Sequence, residues 1–199
     1  MEEEVFVTDS EEIQERDSYA TRRILYMALG STFAFMLYSL LVLAPAGKCF
    51  KVDEGSNSLG LTFSYTLGMV QEFFESRSTS QLDCYSEFLQ IWDVMFAIIY
   101  TSMYCFWIMY FFQHRRILLV IPLLGMVADW SENIVEIMMI NSYLDSNTIS
   151  ETLVSVGSGL NMFKWIMSTL TYLVIFAGIG IKIKSVMNRS KNNDENLVH

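Results

Sequence analysis

Met103–Phe112 reads MYCFWIMYFF, ten residues without a charge and with an apolar or aromatic side chain at almost every position. A helix that is apolar on every side offers water no face, so it lies inside a large core or inside a bilayer. Working outward, the apolar block extends over 88–112, and three comparable blocks occur at 24–44, 117–140 and about 158–181. Each is close to the ~20 residues a helix needs, at ~1.5 Å per residue, to cross a ~30 Å hydrocarbon layer. The reading is an all-α polytopic membrane protein: a four-transmembrane-helix bundle, one domain over 24–181, with tails at 1–23 and 182–199. The rival, a soluble all-α protein with buried helices, struggles with Met103–Phe112, which offers water no face.

Composition points the same way. The 199 residues are 52% hydrophobic and only 18% charged, against roughly 25% charged in soluble domains. A net charge of −9 and a pI near 4.7 leave no basic surface for a phosphate backbone, so nucleic acid is not an expected partner. The two His and three Cys are not spaced as ligand pairs and there is no Gly-rich phosphate loop, so neither a metal nor a cofactor is expected.

Orientation follows from the basic residues. Nine of the 13 flank the spans on one side: Arg16, Arg22 and Arg23 before the first, Arg115 and Arg116 between the second and third, and Lys182, Lys184, Arg189 and Lys191 after the fourth. The first connection on the other side holds Lys48, Lys51 and Arg77, the second holds none, and Lys164 lies within a span. Because Lys and Arg beside a span stay cytoplasmic, both termini are expected in the cytosol, in a plasma or endomembrane. The first 17 residues carry eight acids and no apolar run, the composition of a solvated tail rather than of a signal peptide. Ala44-Pro45-Ala46 resembles a small-residue cleavage site, but the apolar stretch before it is longer than a signal peptide's, and an uncleaved first span is the stronger reading.

The outer connection, 45–87, is too long for a turn. Phe63, Leu67, Val70 and Phe74 recur at helical spacing behind a capping residue, Thr66, which predicts an amphipathic helix lying on the bilayer or packed over the bundle. Cys49 and Cys84 flank it, and two readings stand: a disulfide closing the loop, in a compartment that permits one, or two free thiols. Cys105, deep in a span, reads as packing. In the second outer connection Thr148 and Glu151 have capping-box spacing.

The informative residues are the polar ones in the spans. Asp129, Glu132, Asn133 and Glu136 share a helical face with Gly125; Asp93, Phe96, Ala97, Tyr100 and Tyr104 form a second stripe, and Asn161, Lys164, Trp165, Ser168 and Tyr172 a third. At ~1.5 Å per residue Glu132, Lys164 and Asp93 fall ~12, ~9 and ~8 Å below the outer ends of their predicted spans, so the three seams meet in the outer half of the bilayer. Glu136, nearer the outer end, reads as hydrated. Four carboxylates then oppose one Lys, a fixed charge of −3 if all are ionised. A Lys164 bridge to Glu132 or Asp129 could be structural glue, but it accounts for one carboxylate; intramembrane ionisable groups more often mark a path for substrate, ions or protons. The four Trp read as interface anchors and packing.

Asp93-x-x-Phe96-x-x-x-Tyr100, Pro122-x6-Asp129-x-x-Glu132-Asn133 and Lys164-Trp165 resemble a family of small, mainly bacterial four-span membrane proteins without an assigned function. The likeness runs from about Phe63 to Tyr172 and departs in the acidic tail, the Cys pair and Ala97, where the family pattern has Pro. It implies the four-span architecture and the charged cluster, and no activity. Three functions stay open. The cluster of Asp93, Tyr100, Asp129, Glu132, Asn133, Asn161 and Lys164 could bind or translocate a lipid headgroup, small polar molecule or ion. It could instead form an intramembrane lipid-modifying enzyme with paired carboxylates as acid and base, or serve assembly in a tetraspan scaffold. The expected partners are the bilayer and a lipid or small polar ligand.

Overall fold

The computed structural model describes the backbone of residues 2–52 and 58–196 and the side chains of 19–52 and 58–188. Among the described residues all regular structure is helical: α1 (Glu2–Tyr38), α2 (Ala44–Ala46), α3 (Leu67–Glu75), α4 (Thr79–Glu87), α5 (Val94–Phe111), α6 (Val120–Ser146) and α7 (Glu151–Asn196), joined in places by π or 3₁₀ turns. Four stretches are long and apolar enough to cross a membrane, Tyr19–Phe50, Thr79–Phe111, Arg116–Ser146 and Glu151–Asn188, here called spans 1 to 4.

The distribution of side chains is inverted relative to a protein folded in water. Glu132, Glu136 and Asn161 are fully buried or nearly so, while Phe33, Leu40, Ile134, Leu173 and Phe176 are exposed. In water that exchange would leave large apolar surfaces uncovered. In hydrocarbon it is what stability requires, since lipid accepts apolar side chains and the polar groups must find partners inside the protein. The chain is therefore an integral membrane protein.

Span 4 packs most extensively on span 3, and span 1 on span 2. Span 1 is peripheral: Ala28 and Phe50 are its buried hydrophobic residues, and it is tied to span 2 by Trp107 Nε1 donating to Thr32 Oγ1 (3.0 Å), by the Tyr38 hydroxyl donating to the Trp92 carbonyl (2.9 Å), and by Phe35 stacking on Phe96. The compact apolar core lies at one end of the bundle, the loop end, where Phe50, Leu59, Tyr65, Val70, Phe73, Phe74, Leu82 and Tyr85 meet Met139, Ile140 and Val154.

At that end the structure corrects several expectations. The connection read over 45–87 is shorter, because Ser78 and Gln81 form a capping box that starts the second long helix at Thr79 rather than 88. Such a box satisfies two free N–H groups reciprocally, so a helix can begin in polar surroundings. Thr66 does cap α3, accepting from Met69 N–H, but Phe63 precedes that helix and is exposed; the packed face is Val70, Phe73 and Phe74. This helix lies over the bundle, where its apolar face joins the core. Thr148 does not cap span 4. Helix α7 starts at Glu151, and the Thr148 hydroxyl pairs with Ser146 Oγ at 2.7 Å. At the opposite end helix α1 runs through the acidic segment from Glu2, and the side chains before Tyr19 lie outside the described ones. Ala44-Pro45-Ala46 forms a short helical turn continuing span 1.

Candidate functional site

Helix α6 supplies the site's floor. Gly125, Asp129, Glu132, Asn133 and Glu136 are buried on one face, each carboxylate meeting a partner from another element. Lys164 of α7 is paired with two of them, Asp129 Oδ1 at 3.1 Å and Glu132 Oε2, which its Nζ contacts still more closely. Asp129 also accepts from the Tyr100 hydroxyl at 2.9 Å. Asn133 Nδ2 donates to Asp93 Oδ2 at 2.8 Å and to the Leu89 carbonyl at 3.3 Å. The polar residues of three helices thus meet in two hydrogen-bonded sets on α6, Lys164 with Asp129, Glu132 and Tyr100, and Asn133 with Asp93 and Leu89. The bonds that include Lys164, Asp129 or Asp93 join charged groups, and such bonds are roughly twice as strong as neutral ones.

Glu136 is not hydrated, as its position suggested; it is 1% exposed and accepts a 2.5 Å hydrogen bond from the Tyr85 hydroxyl. Tyr85 in turn meets Ser58 Oγ at 3.0 Å and accepts from Leu59 N–H at 3.3 Å. The sequence reading missed Tyr85 because it began the span at 88 and because a spacing of eight from Asp93 is about 80° off register in an α-helix. Between them Phe88–Asp93 forms a π-helical segment. Such a bulge absorbs roughly one extra residue, so eight residues turn like seven and Tyr85 comes onto the Asp93 face. The stripe therefore continues upward through Leu89 to Tyr85.

A strap, residues 58–66, covers the cluster. Its centre is Gly60, where a Cβ would lie 3.2 Å from Lys164 Nζ and 3.4 Å from Glu132 Oε1. The Gly60 carbonyl accepts from Trp165 Nε1 (3.2 Å), the Thr62 carbonyl from Asn161 Nδ2 (2.6 Å), and Tyr65 N–H donates to Ser158 Oγ (3.0 Å). Asn161 and Trp165, which the helical spacing groups with Lys164, thus hold the strap by its backbone. Tyr65 is 4% exposed, its ring reaches the bare backbone at Gly157, and burial next to Glu136 and Glu132 raises the pKa of its hydroxyl. Cys49 and Cys84 are joined by a disulfide that ties the end of span 1 to α4 behind the strap. Arg77 adds a further tie, its Nε and Nη1 donating to the Phe50 and Phe73 carbonyls at 2.9 and 2.7 Å.

The polar residues meet at one level, but deeper from the helix ends than the sequence suggested. Asp93, Glu132 and Lys164 lie 14, 14 and 13 residues from the loop-end termini at Thr79, Ser146 and Glu151, about 20 Å along each helix. Tyr172 is exposed, accepts from the Tyr104 hydroxyl (2.7 Å) and packs on the Tyr104 and Phe176 rings, which places it outside the cluster. Some buried polar atoms have no hydrogen-bond partner: Glu132 Oε1, Glu136 Oε1, Asn161 Oδ1 and the Tyr65 hydroxyl, all beneath or beside the strap. Among the described residues no three His, Cys, Asp or Glu side chains are grouped as metal ligands.

No family model matches the chain, and no curated protein or solved structure is similar to it.

Proposed function

We propose that this protein binds a small cationic or polar ligand, a lipid headgroup or a free solute, at the carboxylate cluster between spans 2, 3 and 4, and hands it across or along the membrane. The observation that carries this reading is the surplus of acceptors over donors in a buried site. Four acids face one Lys, and after every pairing Glu132 Oε1 and Glu136 Oε1 still lack a partner. Structural glue requires a balanced network, because an unpaired buried polar atom costs ~1–3 kcal/mol and returns nothing. A site that awaits a ligand explains the imbalance.

The loop end faces away from the cytosol in this proposal, and both tails face into it. Two independent features support that orientation: the basic residues beside the spans concentrate at the opposite end, and the Cys49–Cys84 disulfide belongs in an oxidising compartment. The likeness of the Asp-x-x-Glu-Asn and Lys-Trp elements to small bacterial four-span proteins is part of the same proposal.

The test compares cells carrying wild type with cells carrying Asp129→Asn, by lipidomics and by uptake of labelled amines and ions. A changed lipid or solute profile with unchanged protein abundance is expected. An unchanged profile at normal abundance would leave an assembly role.

A further inference from the structure

We propose that the group recognised at the cluster is a primary ammonium, held by Glu132, Glu136 and Asn161 beneath the 58–66 strap. The inference rests on the ligand-binding reading above and narrows its substrate class.

The argument is a count of hydrogen-bond valence. Of the five unpartnered atoms among the described residues, Glu132 Oε1, Glu136 Oε1 and Asn161 Oδ1 are acceptors, a fourth is the Tyr65 hydroxyl, and the fifth, Thr101 Oγ1, belongs to span 2 and is not part of the proposed site. The Asn161 amide cannot turn to change this: its nitrogen is committed to the Thr62 carbonyl at 2.6 Å, so its oxygen must remain the free atom. Each of the four residues is less than 5% exposed, so bulk water does not reach them freely. A proton held between Glu132 and Glu136 would satisfy those two oxygens and leave Asn161 and Tyr65 unanswered. Phosphate or carboxylate would bring more acceptors and negative charge to a site already acidic. A quaternary ammonium has the right charge but no N–H. A primary ammonium has both, with three donors on one small atom.

The surroundings suit a small group better than a bulky one. Gly60 and Gly157 keep side chains away from Lys164 and from the Tyr65 hydroxyl: a Cβ at Gly60 would lie 3.2 Å from Lys164 Nζ, and one at Gly157 would collide with the hydroxyl. The strap is held by hydrogen bonds from Asn161 and Trp165, by one to Ser158, and by Leu59 and Tyr65 packing into the core rather than by continuous helix, so it is the element that can move to admit a ligand. Trp165 donates to the strap at Gly60, so movement of the strap changes the surroundings of one of the chain's four Trp and its share of their fluorescence.

The full chain, purified in detergent, is titrated with short-chain phosphatidylethanolamine, short-chain phosphatidylcholine, ethanolamine and choline. Tryptophan fluorescence and thermal melting are followed. At least one ethanolamine compound should bind roughly ten-fold or more tightly than its choline counterpart, the loss that forfeiting a charge-assisted hydrogen bond produces. Preference for the phospholipid identifies a headgroup, and equal binding of free ethanolamine identifies a soluble amine; both agree with the proposal. Glu136→Gln should weaken the preferred amine about ten-fold, and Tyr65→Phe, which preserves the ring's packing, should weaken it by a smaller factor. Equal affinity for ethanolamine and choline compounds overturns the ammonium assignment, as does the absence of any response, which would leave water as the partner of the free atoms. Either result alongside a changed Asp129→Asn profile removes only the ammonium assignment. A silent Asp129→Asn removes the ligand-binding reading itself.

Discussion

Lys164 lies between Asp129 and Glu132, and its removal would leave two carboxylates facing each other without a cation. Breaking a buried pair from one side costs roughly 3–5 kcal/mol, because the remaining charge stays unpaired. Lys164→Met should therefore lower the melting temperature in detergent sharply, and adding Glu132→Gln should recover much of the loss. The activity of that double mutant separates the roles: a stable bundle that no longer handles its ligand is expected, and a stable, fully active one would reduce the cluster to glue. Tyr85 has a narrower role. Tyr85→Phe strips Glu136 of its one hydrogen-bond donor, and a melting shift equivalent to about 1–3 kcal/mol is expected.

At the scale of elements, the strap stays over the cluster because of what sits behind it. Cys49 and Cys84 are 35 residues apart, and closing a loop of that length stabilises by about 2–4 kcal/mol. Reduction, or Cys84→Ser, should lower the melting temperature and raise protease sensitivity within 58–66. Mass spectrometry of non-reduced peptides should recover the cross-link, and two freely alkylated thiols in fresh membranes would refute it. The glycines are a separate matter of room. A Cβ at Gly157 would collide with the Tyr65 hydroxyl and sit 3.1 Å from Val135 Cγ1, so Gly157→Ala should destabilise the loop end. Removing the hydroxyl as well leaves the ring carbon at 3.4 Å, an ordinary contact, so Gly157→Ala/Tyr65→Phe should melt closer to wild type.

Within the spans, apolar side chains such as Phe33, Leu40 and Phe176 face outward and Asp129, Glu132 and Glu136 inward, and the orientation of that body in its bilayer is open to measurement. With cysteines introduced into an otherwise cysteine-free chain at Asp145 and Glu195, a membrane-impermeant thiol reagent should label position 145 in intact cells. Position 195 should react only after permeabilisation. Labelling of 195 in intact cells would reverse the proposed orientation and with it the side from which the strap is reached. Span 1 packs against span 2 and takes no part in the polar network, so its lipid-facing residues should tolerate apolar exchange with little effect on the cluster; Phe33→Leu is the simplest case.

How far the sequence could be read depends on the range of each interaction. Four membrane-length blocks, the seams on the third and fourth spans and the capping residue Thr66 follow from periodicity and from the cost of burying charge in lipid, which act within one helix and need no knowledge of its neighbours. Which carboxylate would meet Lys164 could not be read that way, since Glu132 and Asp129 are one turn apart and either was within reach; only the packing of α7 on α6 brings it to both. Tyr85 was hidden for a related reason. Its alignment with Asp93 depends on a π-bulge, a local departure from the period on which sequence reading relies. The strap was least legible of all: Gly60, Thr62 and Tyr65 carry no helical pattern, and they reach the cluster because residues about a hundred positions away, Ser158, Asn161 and Trp165, donate to that segment or accept from it. Sequence by itself determined which residues cannot face lipid. The tertiary structure alone decided which partners they find, because the partner of a buried charge is whichever group another helix or loop brings within hydrogen-bond distance.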